Sequence, residues 1–157
     1  MGLARALAAG TAGGTVGAAL MLPLFAGATR AGVLTEAPPL RIVDEAAAAA
    51  AEATEGGGPI AAGQRVGVAV GSHLLYGAGA GACYGLLQDE LELPPLAAGS
   101  VFGLALWAVG YLGWIPAAGV LPRPWRQQVG DAVTPLVAHV VYGLVLGAVE
   151  RTIHGRR

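Results

Sequence analysis

The sequence predicts an all-α membrane protein in which four transmembrane helices pack as a glycine-rich bundle. Of its 157 residues, 55% are apolar and 12% are charged, whereas soluble domains average about 45–50% and about 25%. Four apolar segments are separated by polar turns, and glycines recur inside them at intervals of four. Segments of this length cross a hydrocarbon core of about 30 Å, and glycines at this spacing let helix backbones approach closely.

The predicted spans belong to a single integral membrane domain, residues 1–157, and none of them contains Asp, Glu, Lys or Arg. They cover about residues 6–28, 66–87, 96–115 and 132–149. The first could instead be a cleaved signal peptide, since Arg5 precedes it and Ala26-Gly27-Ala28 fits a cleavage site. Its length and its glycines favour a span.

Residues 30–65 form the longest polar interval. Within it, Leu40 to Glu55 has high helix propensity, and we expect Pro38-Pro39 to lead into it with extended backbone. Gly56-Gly57-Gly58-Pro59 is a stop signal. These features predict a short surface helix, and its thin apolar stripe does not indicate strong binding to the membrane surface.

The remaining turns place the chain ends on one side of the membrane. The acidic turn Gln88 to Pro95 separates the second and third spans, and a proline-rich loop from Ala117 to Gly130 precedes the fourth. Trp114 and Trp125 mark an interface at that loop, because such rings favour the headgroup level. Arginines are almost evenly divided between the two sides, and we predict cytoplasmic termini.

One motif occurs twice. His73-Leu-Leu-Tyr76-Gly77 in the second span is repeated as His139-Val-Val-Tyr142-Gly143 in the fourth, at equal depth. This predicts two halves of two spans each with the same orientation, a parallel internal repeat. The helix-packing glycines of the two motif helices follow at intervals of four: Gly77, Gly81, Gly85, Gly143 and Gly147.

The candidate intramembrane polar site consists of His73, Tyr76, His139 and Tyr142. The simplest interpretation is that each histidine ring donates a hydrogen bond to a neighbouring helix or to a backbone carbonyl, and that each tyrosine ring is packed with its hydroxyl bonded. A second is a proton-sensitive transporter or channel component, since ionisable residues at membrane depth mark functional sites by default and an imidazole titrates near pH 6.5. A third is a haem-binding subunit with two axial histidines, which nothing else in the sequence supports.

Other function classes lack their signatures. No basic patch with interleaved aromatics indicates nucleic-acid binding, and no glycine loop lies between a strand and a helix as nucleotide binding requires. The single cysteine, Cys83, excludes an internal disulfide and a multi-thiolate metal site. No nucleophile with a base and an orienting group is apparent. We therefore expect a protein that is not an enzyme and has no catalytic residues, metal site or cofactor.

Several segments of the last ninety residues together resemble one known family. They run from His73-Leu-Leu-Tyr-Gly to Cys83-Tyr84-Gly85, through Ser100-Val-Phe102-Gly103 and Leu121-Pro-Arg-Pro-Trp125, to Ala138-His139-Val-Val-Tyr142-Gly143. The order resembles the YagU-like family of small bacterial inner-membrane proteins. That resemblance implies an integral inner-membrane location, an unassigned activity and an association with acid conditions. The alanine-rich segment before the second span and Tyr142 depart from the family pattern.

The expected function is that of a small non-enzymatic inner-membrane protein with a structural or interaction role. Its expected partners are the lipid bilayer and either a second copy of itself or another membrane protein.

Overall fold

The computed structural model describes residues 2–53 and 60–154, and all regular structure in those residues is helical. The α-helices are α1 (Leu3–Arg30), α2 (Pro38–Ala53), α3 (Ala62–Leu87), α4 (Pro95–Ala108), α5 (Ile115–Ala117) and α6 (Val129–His154). A π-helical segment, Val109–Trp114, joins α4 to α5, so that Pro95–Ala117 forms one third span.

Within the described part of the chain, four helices are long and apolar enough to cross a membrane: Leu3–Arg30, Gly63–Leu87, Pro95–Ala117 and Val129–Ile153. Large apolar side chains are exposed along all four, for example Leu20, Leu75, Val101 and Val137. A surface of this kind suits lipid and not water. The chain is thus an all-α, four-span membrane protein, as predicted.

The surface helix differs from the prediction at its start. Pro38 and Pro39 are not an extended lead but the first two residues of α2. A proline fits the first turn of a helix because the missing N–H would have no helical partner there, and its fixed φ is already helical. The predicted stop at Gly56 to Pro59 lies outside the described residues.

Contacts between the spans define their order around the bundle. α1 packs along α3, α4 packs along α6, and α1 also packs along α6, whereas α3 and α4 touch only sparsely. The order around the ring is therefore α3, α1, α6, α4, and its fourth side, between α3 and α4, is loosely closed.

Glycine brings the backbones together within each half. A Cβ at Gly81 would overlap the Gly10 carbonyl oxygen, and a Cβ at Gly147 would overlap that of Pro95. Gly77, Gly85 and Gly143 meet neighbouring atoms as closely. Since no larger residue fits at these crossings, the interval of four in the sequence corresponds to the contact line between paired helices.

The two halves pack in the same register. Gly14 meets the carbonyl of Gly77, and Gly99 meets that of Gly143. A residue of the first span therefore corresponds to the residue 85 positions later, in the third span. A residue of the second span corresponds to the residue 66 positions later, in the fourth span. Two side-chain hydroxyls that bond to the carbonyl one turn earlier in their own helix show the same correspondence. Thr15 donates to the Thr11 carbonyl, and Ser100, 85 positions later, donates to the Leu96 carbonyl.

The loop between α1 and α3 is bound to the bundle at two points. Asp131, in the first turn of α6, accepts hydrogen bonds from the Thr35 backbone N–H at 2.7 Å and from its hydroxyl at 2.8 Å. Arg65, near the start of α3, pairs with Glu36 at 2.6 Å and with Asp44. These contacts hold α2 across the end of the bundle opposite the termini.

Candidate functional site

A half-open cavity of about 230 Å³ lies between the two halves of the bundle, and it contains the polar residues of both motifs. Its back wall comes from α1 and α6, its sides from α3 and the third span, and its cover from the first turns of α2. Since a cavity needs only about 10–15 Å³ of such volume to hold one water, this one has room for several waters or one small organic molecule.

His73 reaches the cavity from α3. Its Nε2 lies 3.2 Å from the carbonyl oxygen of Ala18 on α1, and the edge of its ring meets Phe25, with centroids 6.1 Å apart. The hydrogen bond crosses between two helices of the same half. The second ring nitrogen, Nδ1, has no hydrogen bond to the described residues.

His139 reaches the same cavity from α6. Its Nδ1 lies 2.8 Å from the carbonyl oxygen of Pro135, one turn earlier in the same helix. The Tyr111 ring meets it edge to face, with centroids 5.9 Å apart. Here the nitrogen without a hydrogen bond to the described residues is Nε2.

These hydrogen bonds assign the tautomers. A carbonyl oxygen only accepts, so the bonded nitrogen of each ring carries the proton, and in a neutral imidazole the other nitrogen is then an acceptor. His73 and His139, which both line this mainly apolar cavity, therefore each have one uncommitted acceptor nitrogen. A ligand with an N–H or O–H group could bond there.

The two tyrosines of the motif have different environments. Tyr142 is 1% exposed and donates to the Gly77 carbonyl at 2.6 Å, a bond that joins the two halves. Tyr76 lines the cavity, is 48% exposed, and makes no hydrogen bond to the described residues. Equivalent residues of the repeat thus have different roles, one structural and one available.

The π-helical segment shapes the far wall of the cavity. Gly110, Tyr111 and Trp114 line it, and the backbone is non-helical at Gly113 (φ −105°, ψ −106°). Trp107, in the middle of the third span, stacks on Tyr111 at 6.1 Å. An inserted turn of this type re-aims side chains and is frequent at functional sites. The sequence indicated an uninterrupted helix here, and only Gly110 and Gly113 signalled the irregularity.

The cover of the cavity was also missed from sequence. Pro38, Pro39 and Ile42 of α2 line the cavity, whereas the sequence predicted only a short surface helix in this segment. Its role depends on the ion pairs of Arg65, whose partners lie 29 and 21 residues earlier in the chain. Contacts over such separations leave no periodic signal.

The chemistry of the wall is limited. Among the described residues that line the cavity there is no carboxylate, cysteine, lysine or arginine. Ser72 donates to the Ala69 carbonyl at 3.2 Å, within its own helix. No group of three or more His, Cys, Asp or Glu that could hold a metal ion is present in the described residues. The arrangement can bind and orient a molecule through hydrogen bonds and apolar contacts.

Comparison of the chain with protein-family models, with curated proteins and with solved structures gives no match. The resemblance to the YagU-like family therefore stays a prediction, and the geometry of the cavity must carry any functional conclusion.

Proposed function

We propose that this four-span protein is a non-enzymatic, small-molecule-binding component of a transport or sensing process. The observation that carries the proposal is that the two intramembrane histidines, from equivalent helices of the two halves, line a single cavity. Intramembrane ionisable residues are costly and usually mark a ligand or ion pathway, and pockets between helices are usual binding sites.

The ligand is a small uncharged molecule with a mainly apolar body and an N–H or O–H donor. The apolar body suits the walls formed by Met21, Phe25 and Ile115, while the donor suits the free ring nitrogens. A charged ligand would have no opposite charge on the described lining residues. We place the protein in the bacterial inner membrane, for which the family resemblance gives the support, and we infer cytoplasmic termini.

Binding of indole to the purified protein in nanodiscs, measured by calorimetry, tests this proposal. Indole has one N–H donor on an apolar ring, and 1-methylindole has the same rings without the donor. We expect saturable indole binding above that of empty nanodiscs and about tenfold weaker binding of 1-methylindole, which corresponds to about 1.4 kcal/mol.

Two variants and one control complete the test. His73→Leu and His139→Leu should each weaken indole binding, because each removes one of the two acceptors between which the single indole N–H is shared. Leu75→Ala should leave it unchanged, since Leu75 is 76% exposed on the outer face of the same helix. Indole uptake no greater than in empty nanodiscs, or unchanged in the two histidine variants, would refute the proposal.

A further inference from the structure

The loosely closed side of the bundle, between α3 and α4, has an equivalent that is tightly closed. Under the repeat, α1 corresponds to the third span and α3 to α6, so the α1–α6 contact and the α3–α4 contact should be alike. They are not, since α1 packs along α6 and α3 only touches α4. The α3–α4 side of the bundle is therefore the less tightly packed of the two.

Gly17 allows the tight side to close. A Cβ at Gly17 would lie 2.8 Å from Cδ2 of Tyr142, so the tyrosine ring lies directly on the glycine. This close approach lets the Tyr142 hydroxyl reach the Gly77 carbonyl on the opposite half. We call this contact, between the Gly17 backbone on α1 and the Tyr142 ring on α6, the seal.

Phe102 prevents the same seal on the other side. By the register of the halves, Phe102 stands where the first half has Gly17, and Tyr76 stands where the second has Tyr142. The Phe102 ring packs on Tyr84 of α3 at 5.3 Å, so two aromatic rings lie between α3 and α4 where a single ring rests on glycine between α6 and α1. Tyr76 stays half exposed, and its hydroxyl has no partner among the described residues.

The opening faces lipid. Tyr76 lies near the middle of the span Gly63–Leu87 and is 48% exposed, and Trp114, a cavity residue of the third span, is 42% exposed. A phenol hydroxyl at this depth is out of reach of bulk water, and leaving it without a partner is costly. A molecule dissolved in the bilayer can satisfy that hydroxyl and the free nitrogens beyond it.

We propose that the cavity is loaded sideways from the bilayer, through the gap between α3 and α4 that Phe102 holds open. Its ligand is a neutral amphipathic molecule that inserts its hydrogen-bonding head between Tyr76, His73 and His139 and leaves an apolar tail in the lipid. This inference rests on the proposed function and assigns Phe102 a positioning role, since it acts through the spacing of the helices.

Photolabelling with dodecanol that carries a diazirine beside its hydroxyl tests the route. The protein in nanodiscs is irradiated with the probe, and labelled peptides are identified by mass spectrometry. We expect saturable labelling of the peptide that contains Tyr76, in competition with unlabelled dodecanol. Phe102→Gly should reduce this labelling at least tenfold, because the gap can then close as it does at Gly17.

Matched variants separate closure from loss of fold. Val101→Gly places the same residue at the neighbouring position on the exposed face of α4 and should label like the parent. Phe102→Leu keeps most of the bulk and should retain most of the labelling. Circular dichroism of all three variants checks that the helices are intact.

The outcomes distinguish the inference from the function on which it rests. If indole binds but dodecanol does not label the Tyr76 peptide, or labels Phe102→Gly and Val101→Gly equally, lateral loading is wrong and the cavity remains a binding site. If neither probe binds the parent protein, both proposals fail.

Discussion

Single atoms at the helix crossings decide whether this bundle can form. Gly81 faces the backbone of Gly10, whereas a Cβ added at Gly79, two residues earlier in the same helix, would meet no atom of another helix within 4 Å. The chain therefore contains two kinds of glycine, those that a crossing requires and those that it does not.

Gly81→Ala and Gly79→Ala should have opposite effects on stability. The first forces α1 and α3 apart, and overpacking of this kind costs about 1–3 kcal/mol. The second introduces a better helix former where there is space and should be neutral or stabilising by up to about 1 kcal/mol. Thermal unfolding in detergent micelles, followed by circular dichroism, measures the difference. Equal effects of the two substitutions would contradict the crossing geometry.

The sequence of the motif did not predict that its two tyrosines have different environments. Tyr76 and Tyr142 occupy the same place in the repeat, and sequence reasoning assigned both the same interpretation of a packed ring with a bonded hydroxyl. Their environments differ, because the Tyr142 ring lies on Gly17, whereas the position equivalent to Gly17 in the other half is Phe102, whose ring packs on Tyr84. Aligning the halves through Gly14 and Gly99 would have shown this exchange.

At the scale of elements, the described turns of α2 are more than a linker. The first turns of the helix line the cavity, and Asp44 pairs with Arg65 of α3. The hydrogen bond from the Arg65 guanidinium holds the pKa of the Asp44 carboxyl below its usual value of about 3.9. Because the pKa is lower when α2 is docked, docking is stabilised above the ordinary pKa and loses that stabilisation as the pH falls through the lowered one.

Docking of α2 should therefore be constant from neutral pH to about pH 5. It should weaken only when the pH falls to the usual pKa range of an aspartate and below it. Asp44→Asn should weaken it at neutral pH, since the amide cannot form the ion pair. Hydrogen exchange of the amides between Leu40 and Ala50 measures docking, and Glu45→Gln, at the exposed neighbouring position, is the control. Weakening of docking already between pH 7 and pH 6 would show that another group controls α2.

Elements were predictable from sequence where the pattern was periodic. The four spans follow from runs of apolar residues, and the glycine faces follow from intervals of four. The π-helical turn at Val109–Trp114 and the fold of α2 over the cavity do not, because both depend on tertiary contacts. Proline was misjudged at Pro38-Pro39, where the first turn of a helix accommodates it.

At the scale of the whole molecule, an internal repeat with one altered interface explains the cavity. Two helix pairs are built in the same register, one contact between them is sealed by Tyr142 on Gly17, and the other is held apart by Phe102. The sequence predicted the repeat and the depth of the histidines. It could not predict that both imidazoles line one cavity, because the facing of the two halves is a property of the assembled bundle.

The central claim is that His73 and His139 act as one binding site, and nitrogen-15 NMR of histidine-labelled protein in nanodiscs tests it most directly. During an indole titration, the signals of His73 Nδ1 and His139 Nε2 should shift together, with one saturation curve. His154, fifteen residues beyond His139 on α6 and so about 22 Å further along the helix axis, should stay unchanged. Shifts in only one of the two rings, or two curves with different midpoints, would contradict the account.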